Sequence, residues 1–146
     1  MSLHLNQLDL VVGDMDATIG FYRALGVDIP DTAVWRTPSG AHHVDLTMPD
    51  GFVLHFDSAA LARVYNRGWR EPTGTGSRTV VTFKVVERAD VDRLHAKLAA
   101  LGHPTSQPPF DAFWGARYAI VEDPDGNHVG IMSASDPARR TMPPNI

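Results

Sequence analysis

The feature that most constrains this chain is an internal duplication. Pro49-Asp50-Gly51 returns 75 residues later as Pro124-Asp125-Gly126, while Asp14 and Gly26 return 76 residues later as Asp90 and Gly102. The repeated markers have physical roles. A short carboxylate such as Asp14 or Asp90 can accept from the orphan N–H groups of a helix's first turn, and Gly26 or Gly102 suits the left-handed position that ends a helix. Met15, Ile19, Tyr22 and Leu25 recur at helical spacing in the first copy, as do Val91, Leu94, Leu98 and Leu101 in the second. Each copy is therefore expected to carry one amphipathic helix of about three turns.

Alternating apolar and polar runs fill the remainder. Leu8, Leu10 and Val12 precede the first helix, and Val81, Phe83 and Val85 precede the second. After each helix come two further runs, residues 42–48 and 52–58, then 116–123 and 127–133, each pair joined by Pro-Asp-Gly. Proline presets φ for the turn and glycine takes the positive φ of a bulged hairpin. A shorter strand is expected before each hairpin, near 32–36 and 105–110. The fold class is α+β, two tandem βαβββ modules at 1–58 and 79–133, with a linker at 59–78 and a tail at 134–146.

The linker is loop-like and basic, with Arg63, Arg67, Arg70 and Arg78 among prolines and glycines. It reads as a solvated joint or as an attractor for an anion. The tail has no core-forming period and reads as a surface wrap or a disordered end. With 43% hydrophobic and 21% charged residues the chain can bury a core. A net charge of −4 argues against a nucleic-acid partner, and the lack of cysteine excludes disulfides, a thiol nucleophile and thiolate metal sites. The N-terminus enters a strand pattern at once and no apolar run approaches a membrane span, so a cytoplasmic location is the expectation.

If the first Pro-Asp-Gly hairpin pairs Met48 with Phe52, Asp45 faces His55 and His43 faces Asp57 on one side of the sheet. Three readings stay open for this titratable patch. It is a pair of mutually satisfied His–carboxylate contacts, a surface for ligand recognition or acid–base work, or a metal site. His42 and Asp9 lie on nearby runs, and His95 and His103 read as surface residues of the second helix. The same pairing in the second copy puts Tyr118, Ile120, Glu122, His128, Gly130 and Met132 on one mostly apolar face. There Gly130 leaves room for a ligand, or marks a bulge or tight packing. No dinucleotide loop, phosphate-binding loop or hydrolase elbow is present.

The two strand-helix-three-strand modules, Val12-Gly13-Asp14 with Phe21-Tyr22 and Leu25-Gly26, and the run from Trp114-Gly115-Ala116-Arg117-Tyr118 through Glu122-Asp123-Pro124-Asp125-Gly126-Asn127 resemble the vicinal oxygen chelate superfamily. That group contains glyoxalase I, extradiol dioxygenases, fosfomycin resistance enzymes and metal-free bleomycin resistance proteins. The resemblance implies a curved, cup-shaped mixed sheet with helices outside, a homodimer, and a small-molecule ligand inside the cup. Metal-dependent relatives place His or Glu at four strand positions, which here fall on Gln7, His55, Val80 and Gly130. That set cannot hold a divalent ion, because valine and glycine offer no ligand atom and an amide is a weak donor.

The resulting expectation is a metal-free binder of an aromatic or hydrophobic molecule, an antibiotic or a metabolite. It has no cofactor, no membrane or nucleic-acid partner, and a ligand site drawn from Gln7, His55, Asp57, Trp114, Tyr118, His128, Gly130 and Met132. Resemblance to the bleomycin resistance proteins gives Trp114 a ring-stacking role; a core or interface position competes, and Trp35 and Trp69 stay unplaced. One alternative is a lyase, isomerase or dioxygenase using Fe, Mn, Ni or Zn. The other is a metal-independent enzyme with His55 as base and Asp45 behind it.

Overall fold

The structure, a computed structural model, describes residues 1–145. It divides into two compact units, Met1–Gly74 and a second that starts at Thr75. The first contains β1 (Gln7–Val12), α1 (Met15–Leu25), β2 (Val34–Thr37), β3 (Gly40–Thr47), β4 (Val53–Ser58) and α2 (Ala59–Tyr65). The second contains β5 (Val80–Lys84), α3 (Arg88–Ala100), β6 (Thr105–Asp111), β7 (Arg117–Glu122) and β8 (His128–Met132). Their sheets have matching orders, β1-β4-β3-β2 and β5-β8-β7-β6. In each, the first strand runs parallel to the last and the other pairs are antiparallel. These are the two mixed-sheet βαβββ modules that the duplication implies.

Local chemistry explains the elements. The Asp14 side chain accepts from the Ala17 N–H at 2.9 Å, and Gly26 ends α1 at φ 113°. All four residues of the expected stripe, Met15, Ile19, Tyr22 and Leu25, are buried. Tyr22 has no exposed surface and stacks on Phe56 of β4 with ring centroids 4.6 Å apart. Such a pair contributes about 0.5–1.5 kcal/mol beyond its area. Both Pro-Asp-Gly loops close as expected: the Gly51 N–H donates to the Met48 carbonyl at 2.8 Å and Gly126 to Asp123 at 2.9 Å, with φ of 87° and 78°.

Four expectations need correction. Asp90 does not cap α3, because Glu87 stands at the cap and Asp90 lies three residues inside, accepting from the Glu87 N–H at 3.2 Å. The pair forms a reciprocal capping box, which a single-residue reading of the repeat misses. The α3 stripe is also narrower than its spacing suggests, since Val91 and Leu98 are buried but Leu101 is 59% exposed. Within 59–78, Ala59–Tyr65 is a helix whose first turn is capped by Ser58 Oγ, accepting from the Leu61 N–H at 3.1 Å. The short strand expected at 32–36 begins only at Val34, behind a single 3-10 turn at Asp31–Ala33.

The tail is a surface wrap. The Asp136 N–H donates to the Gly115 carbonyl at 3.1 Å and Thr141 to Phe113 at 2.9 Å. Gly115 sits at φ 93° with the Asp136 carbonyl pressed against the place a Cβ would occupy. No helix among the described residues is long and apolar enough to cross a membrane.

Candidate functional site

Alternation along β3 turns Val44 and Leu46 into the core of the first unit and leaves His43 and Asp45 on the other face. On β4 the same alternation buries Leu54 and Phe56 and presents His55 and Asp57 on the face that carries His43 and Asp45. The register is the expected one, with His43 opposite Asp57 and Asp45 opposite His55. β1 adds Asp9 as the direct neighbour of His55.

The contacts are specific. His43 Nδ1 lies 2.6 Å from Asp57 Oδ1, His55 Nδ1 lies 2.9 Å from Asp9 Oδ1, and His55 Nε2 lies 3.1 Å from Asp45 Oδ1. The two imidazole centroids are 4.8 Å apart. Asp57 is almost wholly buried, at 2% exposure, and its second oxygen accepts from the Tyr65 hydroxyl at 2.7 Å. Desolvation of that hydroxyl, then the hydrogen bond to Asp57 and the charges of Asp57 and Asp9, hold the Tyr65 pKa far above the ordinary phenol value. Tyr65 therefore stays a donor, although 56% of the residue is open to solvent. Gln7 Nε2 donates to Asp9 Oδ2 at 2.9 Å.

One ligand atom each from His43, Asp45 and His55 lies within 4.8 Å of the others. Among the described residues this is the one group of three or more His, Cys, Asp or Glu side chains close enough to hold an ion. Two imidazoles and a carboxylate suit a first-row divalent transition metal better than Mg²⁺ or Ca²⁺. With metal–ligand bonds of about 2.0–2.2 Å, neighbouring ligand atoms in one coordination shell stand roughly 3 Å apart, which the His55–Asp45 contact already matches. The donor types suit such an ion, and all three ligand atoms lie within 4.8 Å of one another.

The sequence-derived candidates fall into two groups. Gln7, Asp45, His55 and Asp57 come together on the first sheet, with Gln7 reaching the cluster through Asp9. In the register Asp9 stands beside His55 and Gln7 beside Val53, while Thr82 stands beside Gly130 and Val80 beside His128. Tyr118, His128, Gly130 and Met132 share a face of the second sheet, as expected. A Cβ on Gly130 would meet Thr82 Oγ1 at 2.5 Å and Tyr118 Cε2 at 2.8 Å, so the space beside the glycine is filled by the protein's own side chains. Trp114 packs edge-on against Phe110, Phe113 and Tyr118 at centroid distances of 6.3, 5.1 and 5.7 Å. Ser106 Oγ donates to Glu122 at 2.9 Å and contacts His128 Nε2 at 3.3 Å.

His42, His95 and Trp35 have local contacts. His42 contacts Ser58 Oγ at 2.9 Å and Ser39 Oγ at 2.8 Å, with Trp35 against its ring. His95 Nε2 contacts Thr105 Oγ1 at 3.2 Å. Tyr65 is the site residue that sequence reading missed. Its signal was Ser58 followed by Ala59-Ala60-Leu61-Ala62, a capped helix start inside a stretch taken for loop.

The fold is shared with solved structures. A glyoxalase-related enzyme from Fulvimarina pelagi is 23% identical, with 90% of this chain and 88% of that one covered at a TM-score of 0.71. A glyoxalase/bleomycin resistance protein/dioxygenase from Nocardioides is 23% identical over 100% and 91% at 0.67. A lactoylglutathione lyase from Agrobacterium tumefaciens is 20% identical over 90% and 93% at 0.62. None of the curated proteins compared with the chain matches it. The sequence pattern of the Glyoxalase/Bleomycin resistance protein/Dioxygenase superfamily matches residues 4–131, nearly the whole of both modules. The chain belongs to that superfamily.

Proposed function

We propose that the chain is a divalent-metal-dependent enzyme acting on a small organic molecule, with His43, Asp45 and His55 holding the ion. The carrying observation is that each histidine has its Nδ1 engaged by a carboxylate, Asp57 for His43 and Asp9 for His55. A carboxylate behind Nδ1 fixes the ring's tautomer and orientation, the arrangement typical of metal-ligating histidines, and an ion between His55 Nε2 and Asp45 would take the place of the contact those two groups now make. This reading departs from the metal-free binder that the strand positions Gln7, His55, Val80 and Gly130 suggest. It does so because β3, which carries none of those positions, supplies two of the three ligands.

A bound ion of this class supplies Lewis acidity to a substrate oxygen. The chain's own residues orient the site. Tyr65 holds Asp57, Asp57 holds His43, and Gln7 steadies Asp9 behind His55. Asp45, 65% exposed, is the most open of the carboxylates around His55 and would hold the ion on its solvent side.

A second reading rests on His55 having a carboxylate at both ring nitrogens. In it, His55 exchanges protons with the substrate directly and no metal is required. Metal analysis decides between the two. Protein loaded anaerobically with Fe²⁺, Mn²⁺, Ni²⁺ or Zn²⁺ and then desalted should retain close to one ion per chain, and His43→Ala or His55→Ala should retain none. Wild-type protein that retains no ion overturns the metal reading. Wash-in of deuterium to a substrate C–H by chelator-treated protein then supports the second.

A further inference from the structure

We propose that the loop after α2 is a binding site for a small planar organic anion, with its negative group on Arg67 and Arg70 and its ring against Trp69. This site is independent of the metal reading. Arg63, Asn66, Arg67, Trp69, Arg70 and Glu71 line an open surface hollow of about 540 Å³. All six belong to one nine-residue segment of the first unit. The loop is shaped by its own hydrogen bonds: the Gly68 N–H donates to Asn66 Oδ1 at 3.0 Å and the Trp69 N–H to the Asn66 carbonyl at 3.0 Å.

The charges around the hollow are unbalanced. Three arginines face one glutamate in a chain whose net charge is −4. Glu71 is taken by Arg63 at 3.2 Å, and Arg63 also stands over the Trp69 ring at 4.7 Å. The Arg70 Nη1 donates to the carbonyls of Arg67 and Trp69 at 3.1 and 2.8 Å, which fixes the guanidinium and leaves its other nitrogens available. The Arg67 guanidinium has no hydrogen bond or ion pair among the described residues. A guanidinium fork matches a carboxylate or phosphate with two parallel hydrogen bonds, and an indole beside it offers a face to a flat ring. An inorganic anion would use only the first of these features, whereas an aryl carboxylate uses both.

The test is calorimetric titration of the full chain with benzoate at low ionic strength and with chelator present, so that no metal takes part. Saturable one-to-one binding is expected, weakened at least about tenfold in Arg67→Gln/Arg70→Gln. Trp69→Leu should also weaken it, and His55→Ala should bind as the wild type does. Circular dichroism confirms that each variant is folded. Failure of benzoate to saturate, equal affinity in the folded double variant, or inorganic phosphate binding as tightly as benzoate with no effect of Trp69→Leu would each overturn the proposal. Retention of metal by the same protein is unaffected by any of these outcomes, so the two readings fail separately.

Discussion

Asp57 is the most constrained residue of the candidate site. Its carboxylate is almost fully buried and both of its oxygens are committed, one to His43 and one to the Tyr65 hydroxyl. Asp57→Asn keeps the shape but replaces an acceptor with a donor, and it should lower metal affinity about 10–100-fold, read by competition with a chromogenic chelator. Tyr65→Phe should lower it in the same direction by less, since His43 keeps its partner. At Gly130 the expected effect is on stability. Gly130→Ala pushes a methyl into Thr82 and Tyr118, and because Tyr118 is hemmed in by Trp114 and Phe110 the ring has little freedom to retreat. A loss of about 1–3 kcal/mol in denaturant unfolding is expected, with metal retention unchanged.

At the scale of elements, α2 is short and depends on its ends. Ser58 Oγ caps it and also contacts His42 Nδ1. Ser58→Ala should cost about 1 kcal/mol in chemical denaturation. In the second unit, Arg117 of β7 bonds both oxygens of Asp92 on α3, at 2.7 and 3.1 Å. The hydrogen bond from Arg117 holds the Asp92 carboxyl below its ordinary value. A carboxyl depressed in the folded state stabilises fully above its unfolded pKa, near 3.9, and loses that contribution as pH falls through the lower folded value. An acid unfolding series should therefore show Asp92→Asn with a shallower low-pH limb than the wild type; identical limbs would remove Asp92 from the acid response.

The elements also show how far the sequence could be read. The duplication, the helix markers Asp14 and Gly26, and the two Pro-Asp-Gly turns placed nearly every strand, because positive φ and apolar alternation are local properties. The pairs His43–Asp57 and Asp45–His55 were legible for the same reason, since a hairpin turn fixes antiparallel register. Parallel register was not legible. β1 and β4 are joined by a helix and two strands, so nothing local says whether Gln7 or Asp9 stands beside His55. Tyr65 escaped because one capped helix turn inside a Gly- and Arg-rich stretch is a weak signal beside the loop composition that follows it.

For the molecule as a whole, the metal reading localises the ion to one unit. Saturation with a retained metal at about 100 times its Kd should stabilise the site-bearing unit by about 2.7 kcal/mol. Hydrogen exchange on the full chain should then show added protection in β3 and β4 and none in β7 and β8. Equal protection of both sheets would place ligands outside His43, Asp45 and His55.

The filled space at Gly130 bears on how the duplicated halves have specialised. One copy carries a face of ionisable groups bonded to one another, while the other fills the corresponding ground with Tyr118, Thr82 and a cluster of interlocked rings. On the metal reading, packing rather than chemistry is what constrains that face of the second half. A substitution survey scored for function should therefore find volume-conserving exchanges accepted around Trp114 and Tyr118, and almost none accepted at His43, Asp45, His55 and Asp57.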